Sequence, residues 1–356
     1  MKKLISIFLS IMLIAALAAC SGNKPAAGAA SGDAPAASGD AIKWTMATIY
    51  AEPVGGNLTH MSLGAAMQKF INDVNEKSGG RLVIEGYYSS VLGSSVDTFQ
   101  QMERGELTIF YGQPMASVDT RFGAWSIPYL FKDYDEIKTI ACDPDGDFFK
   151  LAAEWIGEHN GTLLASGITN TRGIFNSKHA VVTVEDVKDL KIRTYEDPVV
   201  NVFWGDICQA MPMPVSEVYT ALQTNAIDGL EFSVNSIISR KYIEVGKYYT
   251  DINWQWAAGA SFVVNSDAFN ALPDDLKEIV TQCAREAAVY QGELEIKDEE
   301  ICFEQLEETG CEIHYLSDEE RQAWIDYAES ISGKIRDAVG PEAYDQVVTI
   351  VDAACT

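Results

Sequence analysis

Two strand–helix alternations in succession constrain this chain most. Residues 42–48 alternate apolar and polar side chains and predict a strand. Leu63, Met67, Phe70, Ile71 and Val74 then recur on one helical face, and Gly79-Gly80 stops that helix. Residues 82–87 predict a second strand, 96–104 a helix and 107–111 a third strand. The β-α-β-α-β order predicts a mostly parallel sheet with helices on its faces. A second cycle begins near Thr162, with strands at 163–166 and 173–176, a short helix at 184–190 and a strand at 191–194. A helix over 198–209 follows. A second helix is capped by Ser216, holds Ala221 and Leu222 and ends at Asn225, before a strand at 227–232. Two α/β cycles in one chain predict two lobes with a cleft between them.

The last third changes character. Residues 273–309 contain no internal proline after Pro273, and only Gly292 interrupts a run rich in Glu, Ala, Lys and Gln. As one helix it extends about 55 Å at 1.5 Å per residue. That exceeds one lobe, so the helix can brace both. Residues 311–315 suit an edge strand, and helices are expected over 318–339 and 341–354.

The N-terminus carries an address. Lys2 and Lys3 precede an apolar run from Leu4 to Leu17, too short for a membrane span and followed by small residues. Leu17-Ala18-Ala19-Cys20 is similar to a bacterial lipobox, with Cys20 as the lipidated residue. A plain secreted protein cut after an Ala-x-Ala site is the alternative. Residues 21–41 are almost all Ala, Gly, Ser, Pro and Asp, which suits a flexible tether of about 25 Å reach. The expected division is signal 1–20, tether 21–41, lobe I mainly 42–168 and lobe II mainly 169–258. Residues 259–356 then hold a strand returning to lobe I, the spanning helix and the terminal helices. The expected location is outside the cytoplasm, lipid-anchored to the membrane at the cell surface or in a periplasm.

Charge excludes some partners. The chain has 26 Lys+Arg against 52 Asp+Glu, a formal charge of −26, or −28 once Lys2 and Lys3 leave (−26 − 2). Such a surface repels nucleic acid and anionic lipid. It does not steer anions inward either, so an anion must be caught by local positive groups. Arg193 ends a short alternating run with few cations nearby, and its planar guanidinium suits a carboxylate. An ion pair with Glu196 or Asp197 is the structural alternative.

Catalytic and cofactor signatures are missing. There is no G-x-G-x-x-G, Walker A, H-E-x-x-H or G-x-S-x-G, and His60, His159, His179 and His314 are scattered. Glu217 and Glu231 offer an acid/base pair only at the level chance supplies among 52 acids. Asp143 to Glu154 partly matches a calcium loop, but Phe148 stands where glycine is required. An acidic turn capping the helix of Phe149, Ala152 and Trp155 is the other reading. No cofactor is expected. Six cysteines follow Cys20 without a C-x-x-C; Cys302 and Cys311 come close if a helix ends between them, and buried free thiols are the alternative.

Ordered motifs from about Ile42 to Tyr344 resemble the solute-binding proteins of TRAP (tripartite ATP-independent periplasmic) transporters. They are Ser78-Gly79-Gly80-Arg81-Leu82, Leu92-Gly93, Ile127-Pro128-Tyr129-Leu130-Phe131, Arg172 to Asn176, Asp189-Leu190-Lys191-Ile192-Arg193, Ser216 to Thr224, and Asp228-Gly229 with Glu231. The resemblance implies an α/β, two-lobed periplasmic-binding-protein-like fold with a central cleft and a long C-terminal helix bracing both lobes. It implies a binding protein that closes on a small organic acid and delivers it to TRAP membrane permease subunits. It puts Arg193 on the ligand carboxylate and Arg172 in support, with an ion pair as the alternative for Arg172. Two departures bear on the solute. Phe232 stands where the family usually has Asn, and Trp254, with Trp256 beside it, where many members have His. If both Phe232 and Trp254 face the cleft, they favour a monocarboxylate with an apolar or aromatic body over a sugar acid or a small dicarboxylate. Lobe core is the alternative for both tryptophans. Tyr50, Tyr111, Gly112 and Gln113 lie at strand ends facing the ligand. Rival functions are a sensory ligand-binding subunit for the same solutes, which neighbouring genes distinguish, and a secreted enzyme, which turnover of the ligand reveals.

Overall fold

The computed structural model describes residues 41–53, 61–169, 171–255 and 257–355. The export signal, Cys20, residues 21–40 of the tether, His60 and Trp256 lie outside the described residues. Among the described residues, eleven strands form two sheets. The first holds β1 (Ile42–Ala47), β2 (Leu82–Tyr87), β3 (Ile109–Gly112), β4 (Gly161–Thr169) and β10 (Ala257–Asn265), in the order β2-β1-β3-β10-β4. The second holds β5 (Gly173–Asn176), β6 (Lys191–Thr194), β7 (Gln209–Pro212), β8 (Gly229–Phe232), β9 (Tyr248–Asp251) and β11 (Glu312–Tyr315), in the order β11-β9-β5-β8-β6-β7.

The parallel expectation holds for part of each sheet. β1, β2 and β3 run parallel, as do β6, β7 and β8. β10 is antiparallel to β3 and β4, and β5 is antiparallel to β8 and β9. These reversals mark where the chain changes sheet: β4 runs into β5, and β9 into β10. A strand that leaves one sheet and another that returns need no crossover helix between them.

Each sheet has its own apolar core. Met46, Phe70, Ile109 and Phe262 pack in the first, and Phe175, Leu230 and Tyr249 in the second. The expected long helix is present as Asp274–Glu308, 35 residues, about 52 Å at 1.5 Å per residue. Leu276, Val280, Cys283 and Ala287 join the first core, while Cys302 and Leu306 join the second. One rigid element is therefore buried in both lobes. A third cluster draws on both, packing Phe110, Trp125, Ile192, Phe203, Trp204, Trp324 and Val339 together.

Several local expectations are corrected. The helix expected over 198–209 is Pro198–Gly205, and β7 follows it. Asp197 sets its start by accepting from the Val199 and Val200 amides at 2.8 and 3.2 Å, with Pro198 in the first turn. Ser216 caps no helix: a turn at Val215–Glu217 leads into Val218–Gln223. The helix expected over 318–339 breaks at Ile331 into Asp318–Ser330 and Ser332–Val339. The acidic turn is closed by Asp143 accepting from the Asp145 amide at 3.0 Å, and the next helix, Asp147–Gly157, has no side-chain cap. No disulfide joins Cys302 to Cys311 among the described residues.

Candidate functional site

Arg172, Arg193 and Phe232 meet at one edge of the second sheet because of strand direction. β6 and β8 run parallel, so Arg193 and Phe232 approach the same rim, and antiparallel β5 begins there, just after Arg172. Phe232 pairs with Gly173, and Arg193 with Leu230 and Met211. The Phe232 ring lies 4.8 Å from the Arg172 guanidinium and 5.6 Å from that of Arg193. Tyr195 adds a second ring 4.9 Å from Arg172. Tyr242 packs against Phe232 with centroids 6.4 Å apart.

The two arginines are held differently. Arg172 donates from Nε to Glu231 Oε2 at 2.5 Å, and from Nη2 to Oε1 at 2.9 Å and to the Glu231 carbonyl at 3.1 Å. Glu231 is fully buried, so Arg172 has a matched counter-charge. Burial works against the Arg172 charge, but Glu231 outweighs it and raises the pKa. Arg193, 2% exposed, donates from Nε and Nη2 to the Met213 carbonyl at 3.0 and 2.8 Å. Its Nη1 is buried with no hydrogen-bond partner among the described residues. Burial, aided by the like charges of Arg172 and Arg240 and opposed by Glu231, pushes its pKa down to about 10. The expected alternative of an ion pair with Glu196 or Asp197 is not seen: Asp197 instead caps its helix and accepts from Ser126 Oγ at 3.2 Å.

The first sheet presents the opposite rim. Tyr50 follows β1 and packs edge-on to Tyr111, with centroids 6.0 Å apart. Tyr111 lies 4.2 Å over Phe262, and its Oη is buried without a partner among the described residues. Gln113 follows Gly112 at the end of β3, and its Nε2 is likewise buried without a partner among the described residues. A Cβ on Gly259 would stand only 3.1 Å from Gln113 Oε1 and 3.2 Å from Thr169 Cγ2, so glycine permits the amide to sit there. The rims face each other. Burial and Glu295 raise the Tyr50 pKa, while Arg172 and Arg240 of the second lobe pull it back.

The Trp254 ring packs in the core shared by both lobes. It is fully buried, stacked on Phe203 at 5.1 Å and 11°, and edge-on to Trp204 at 5.9 Å. This is the core alternative, and the ring does not stand beside Phe232. Its backbone does serve the site: the Trp254 amide donates to the Arg172 carbonyl at 3.3 Å. Of the expected residues, the structure brings together Arg172, Arg193 and Phe232 on one rim and Tyr50, Tyr111, Gly112 and Gln113 on the other. Sequence reasoning missed the Met213 carbonyl, which has no residue signature, and Arg240. Arg240 follows the helix Val234–Ser239, and its charge reaches Tyr50, Tyr242 and Arg193. Its signal was the scarcity of cations that singled out Arg193.

The sequence model described as "Bacterial extracellular solute-binding protein, family 7" matches residues 57–337. A protein of Verminephrobacter eiseniae named as a solute-binding protein is 30% identical over 228 residues, 63% of this chain and 67% of that one. The 2,3-diketo-L-gulonate-binding periplasmic protein of Escherichia coli is 26% identical over 275 residues, 76% of this chain and 81% of that one. A TRAP periplasmic solute-binding protein of Chromohalobacter salexigens, solved with bound D-glucuronate, superposes with a TM-score of 0.79 at 25% identity, covering 87% of this chain and 99% of that one.

Proposed function

The chain belongs to family 7 of the bacterial extracellular solute-binding proteins, and from that premise we propose that it captures an organic monocarboxylate. It is a TRAP-type binding protein for an organic acid, and handing the solute to a membrane permease is the family's role. The finer reading is carried by one observation. Arg193 Nη1 is buried and unpartnered on a guanidinium whose pKa is pushed down to about 10. A buried charge in that state gains from any anion that reaches it. Met213 holds the Nε–Nη2 edge and so fixes which edge meets the solute carboxylate. Arg172 assists from behind Glu231, Phe232 backs both guanidiniums, and Tyr50, Tyr111, Gly112 and Gln113 close from the other lobe. Lobe closure is favoured because the solute touches both rims only when they meet.

The count of charges selects one carboxylate. Arg172 is matched by Glu231, which leaves Arg193 as the buried cation to be neutralised. Calorimetric titration with paired mono- and dicarboxylates of equal length is expected to favour the monocarboxylate by roughly tenfold or more. A dicarboxylate that binds tighter, and loses that advantage in Arg240→Gln, overturns the count and places a second carboxylate on Arg240.

The lipid anchor rests on Leu17-Ala18-Ala19-Cys20. Cells fed an alkyne-tagged fatty acid should label the wild-type chain and leave Cys20→Ser unlabelled. An unlabelled wild type would return the chain to a plain secreted form.

A further inference from the structure

We propose that Tyr195 is a positioning residue that ties the arginine rim to the hinge, so that solute capture and lobe closure become one event. This rests on the reading that the arginine rim takes the solute carboxylate. Two stretches of chain cross between the lobes at this rim. One runs between Thr169 at the end of β4 and Gly173 at the start of β5, the other between Asp251 at the end of β9 and Ala257 at the start of β10. Arg172 therefore belongs to the hinge as well as to the rim. The two crossings are bonded to each other. The Trp254 amide donates to the Arg172 carbonyl at 3.3 Å, and Thr171 Oγ1 donates to Asn253 Oδ1. Asn253 turns the second crossing in the left-handed region, with φ at 46°, which asparagine tolerates better than most residues.

Tyr195 adds a tie through side chains. It stands one residue past β6 and two past Arg193. Its ring lies 4.9 Å from the Arg172 guanidinium, Phe232 lies 4.8 Å from the same group, and Glu231 takes the Nε–Nη2 edge. The Tyr195 hydroxyl is held by two further residues. Gln255 meets it with Nε2 at 3.1 Å and Oε1 at 3.3 Å, and Ser126 Oγ lies 2.9 Å away. Each partner is anchored in turn. Gln255 Nε2 donates to the Trp125 carbonyl at 3.0 Å, and Ser126 Oγ donates to Asp197 Oδ2 at 3.2 Å. Gln255 and Ser126 are 1% and 0% exposed, so water does not replace the hydroxyl if it is removed. Gln255 sits on the second crossing, and Ser126 ends a turn whose Phe122, Ala124 and Trp125 lie in the core shared by both lobes. Tyr195 thus joins an arginine on one crossing to an amide on the other. Opening moves one crossing against the other, which breaks the ring contact or the hydroxyl bonds. A solute that fixes Arg193 and Arg172 favours the arrangement in which both are made.

The test compares Tyr195→Phe, which keeps the ring and removes only the hydroxyl, with Tyr195→Leu, which removes both. Calorimetric titration of the full chain with D-glucuronate, succinate, phenylacetate and hexanoate finds the acid that the wild type binds most tightly. Small-angle X-ray scattering with and without that acid reads closure as a fall in radius of gyration. In Tyr195→Phe the affinity should drop roughly tenfold and the fall in radius should shrink, and Tyr195→Leu should lose more of both. A tyrosine that merely supports the fold would lower stability to urea and leave affinity and compaction as they are. Tyr195→Phe binding and compacting like the wild type overturns the inference, even where Tyr195→Leu fails, because the ring alone then matters. A wild type that does not compact on binding overturns it too. Arg193→Met separates the two claims. If it abolishes binding while Tyr195→Phe behaves as wild type, the carboxylate reading stands and the hinge tie falls. If it leaves binding intact, or if no acid of the panel binds, the carboxylate reading falls and takes this inference with it.

Discussion

Replacing Arg193 with methionine weakens solute binding by roughly a hundredfold or more while leaving the unliganded protein at least as stable as before. The binding loss follows from burial. Arg193 is 2% exposed and its Nη1 is enclosed, so its bond to a carboxylate forms away from water, where truncating one partner costs about 2–5 kcal/mol. The stability result follows from the same burial. Moving the pKa from 12.5 to about 10 means that the folded protein disfavours the charged guanidinium, by about 3 kcal/mol at 1.36 kcal/mol per unit. Methionine removes that penalty together with the two bonds to the Met213 carbonyl, each worth about 1–2 kcal/mol. The two changes nearly cancel, and methionine fills the same volume. Denaturant unfolding without solute, set beside calorimetry with it, checks both halves. A variant that keeps its affinity sends the carboxylate elsewhere in the cleft. A variant that unfolds several kcal/mol earlier shows Arg193 to be a structural residue.

The parts legible in the sequence share a cause. β5 and β6 were bounded to the residue because each is a short strand whose pattern ends at a turn. The long helix was visible because a run of 35 residues without internal proline has few other solutions. Arg193 stood out because a cation at a strand end is rare in so acidic a chain. The parts that stayed hidden have no periodicity to betray them. β7 is an edge strand whose only part-buried residue is Ala210, so nothing alternates. The strand returning to lobe I was expected and is β10, but its antiparallel pairing with β3 and β4 is a matter of topology that local pattern does not record. Trp254 illustrates a different limit. Its position in the chain suited the cleft, but Phe203, Trp204 and Trp324 are far away in sequence and together build the core that takes it. Arg172 was found, yet its pairing with Glu231 through β5 and β8 is a contact across 59 residues.

The second large effect concerns the middle of the long helix. Between its two apolar ends, Gln291, Glu295 and Asp298 are all buried on one face. Ser62 Oγ and Gln291 Nε2 both donate to Glu295 Oε2, the latter at 3.0 Å. Burial, with Asp298 and Glu299 adding to it and those hydrogen bonds opposing it, raises the Glu295 pKa from 4.5 to about 8. The folded chain therefore keeps a proton that the unfolded chain releases above pH 4.5. Stability from this group falls as pH rises from about 4.5 to about 8 and is level outside that window. The full difference is on the order of 4–5 kcal/mol at 1.36 kcal/mol per unit. Glu299, raised to about 7, and Asp197, raised to about 6, both chiefly by burial, slope the same way over narrower windows. Glu295→Gln isolates the first. Glutamine keeps an oxygen to accept from Ser62 and Gln291 and cannot ionise. Urea unfolding of both proteins from pH 4.5 to 9 should give curves that nearly coincide at pH 4.5 and separate by several kcal/mol at pH 8, with the variant more stable. A separation that is constant across the range would mean that Glu295 ionises as an ordinary surface carboxylate, and that the centre of the helix tolerates charge in the bracing position.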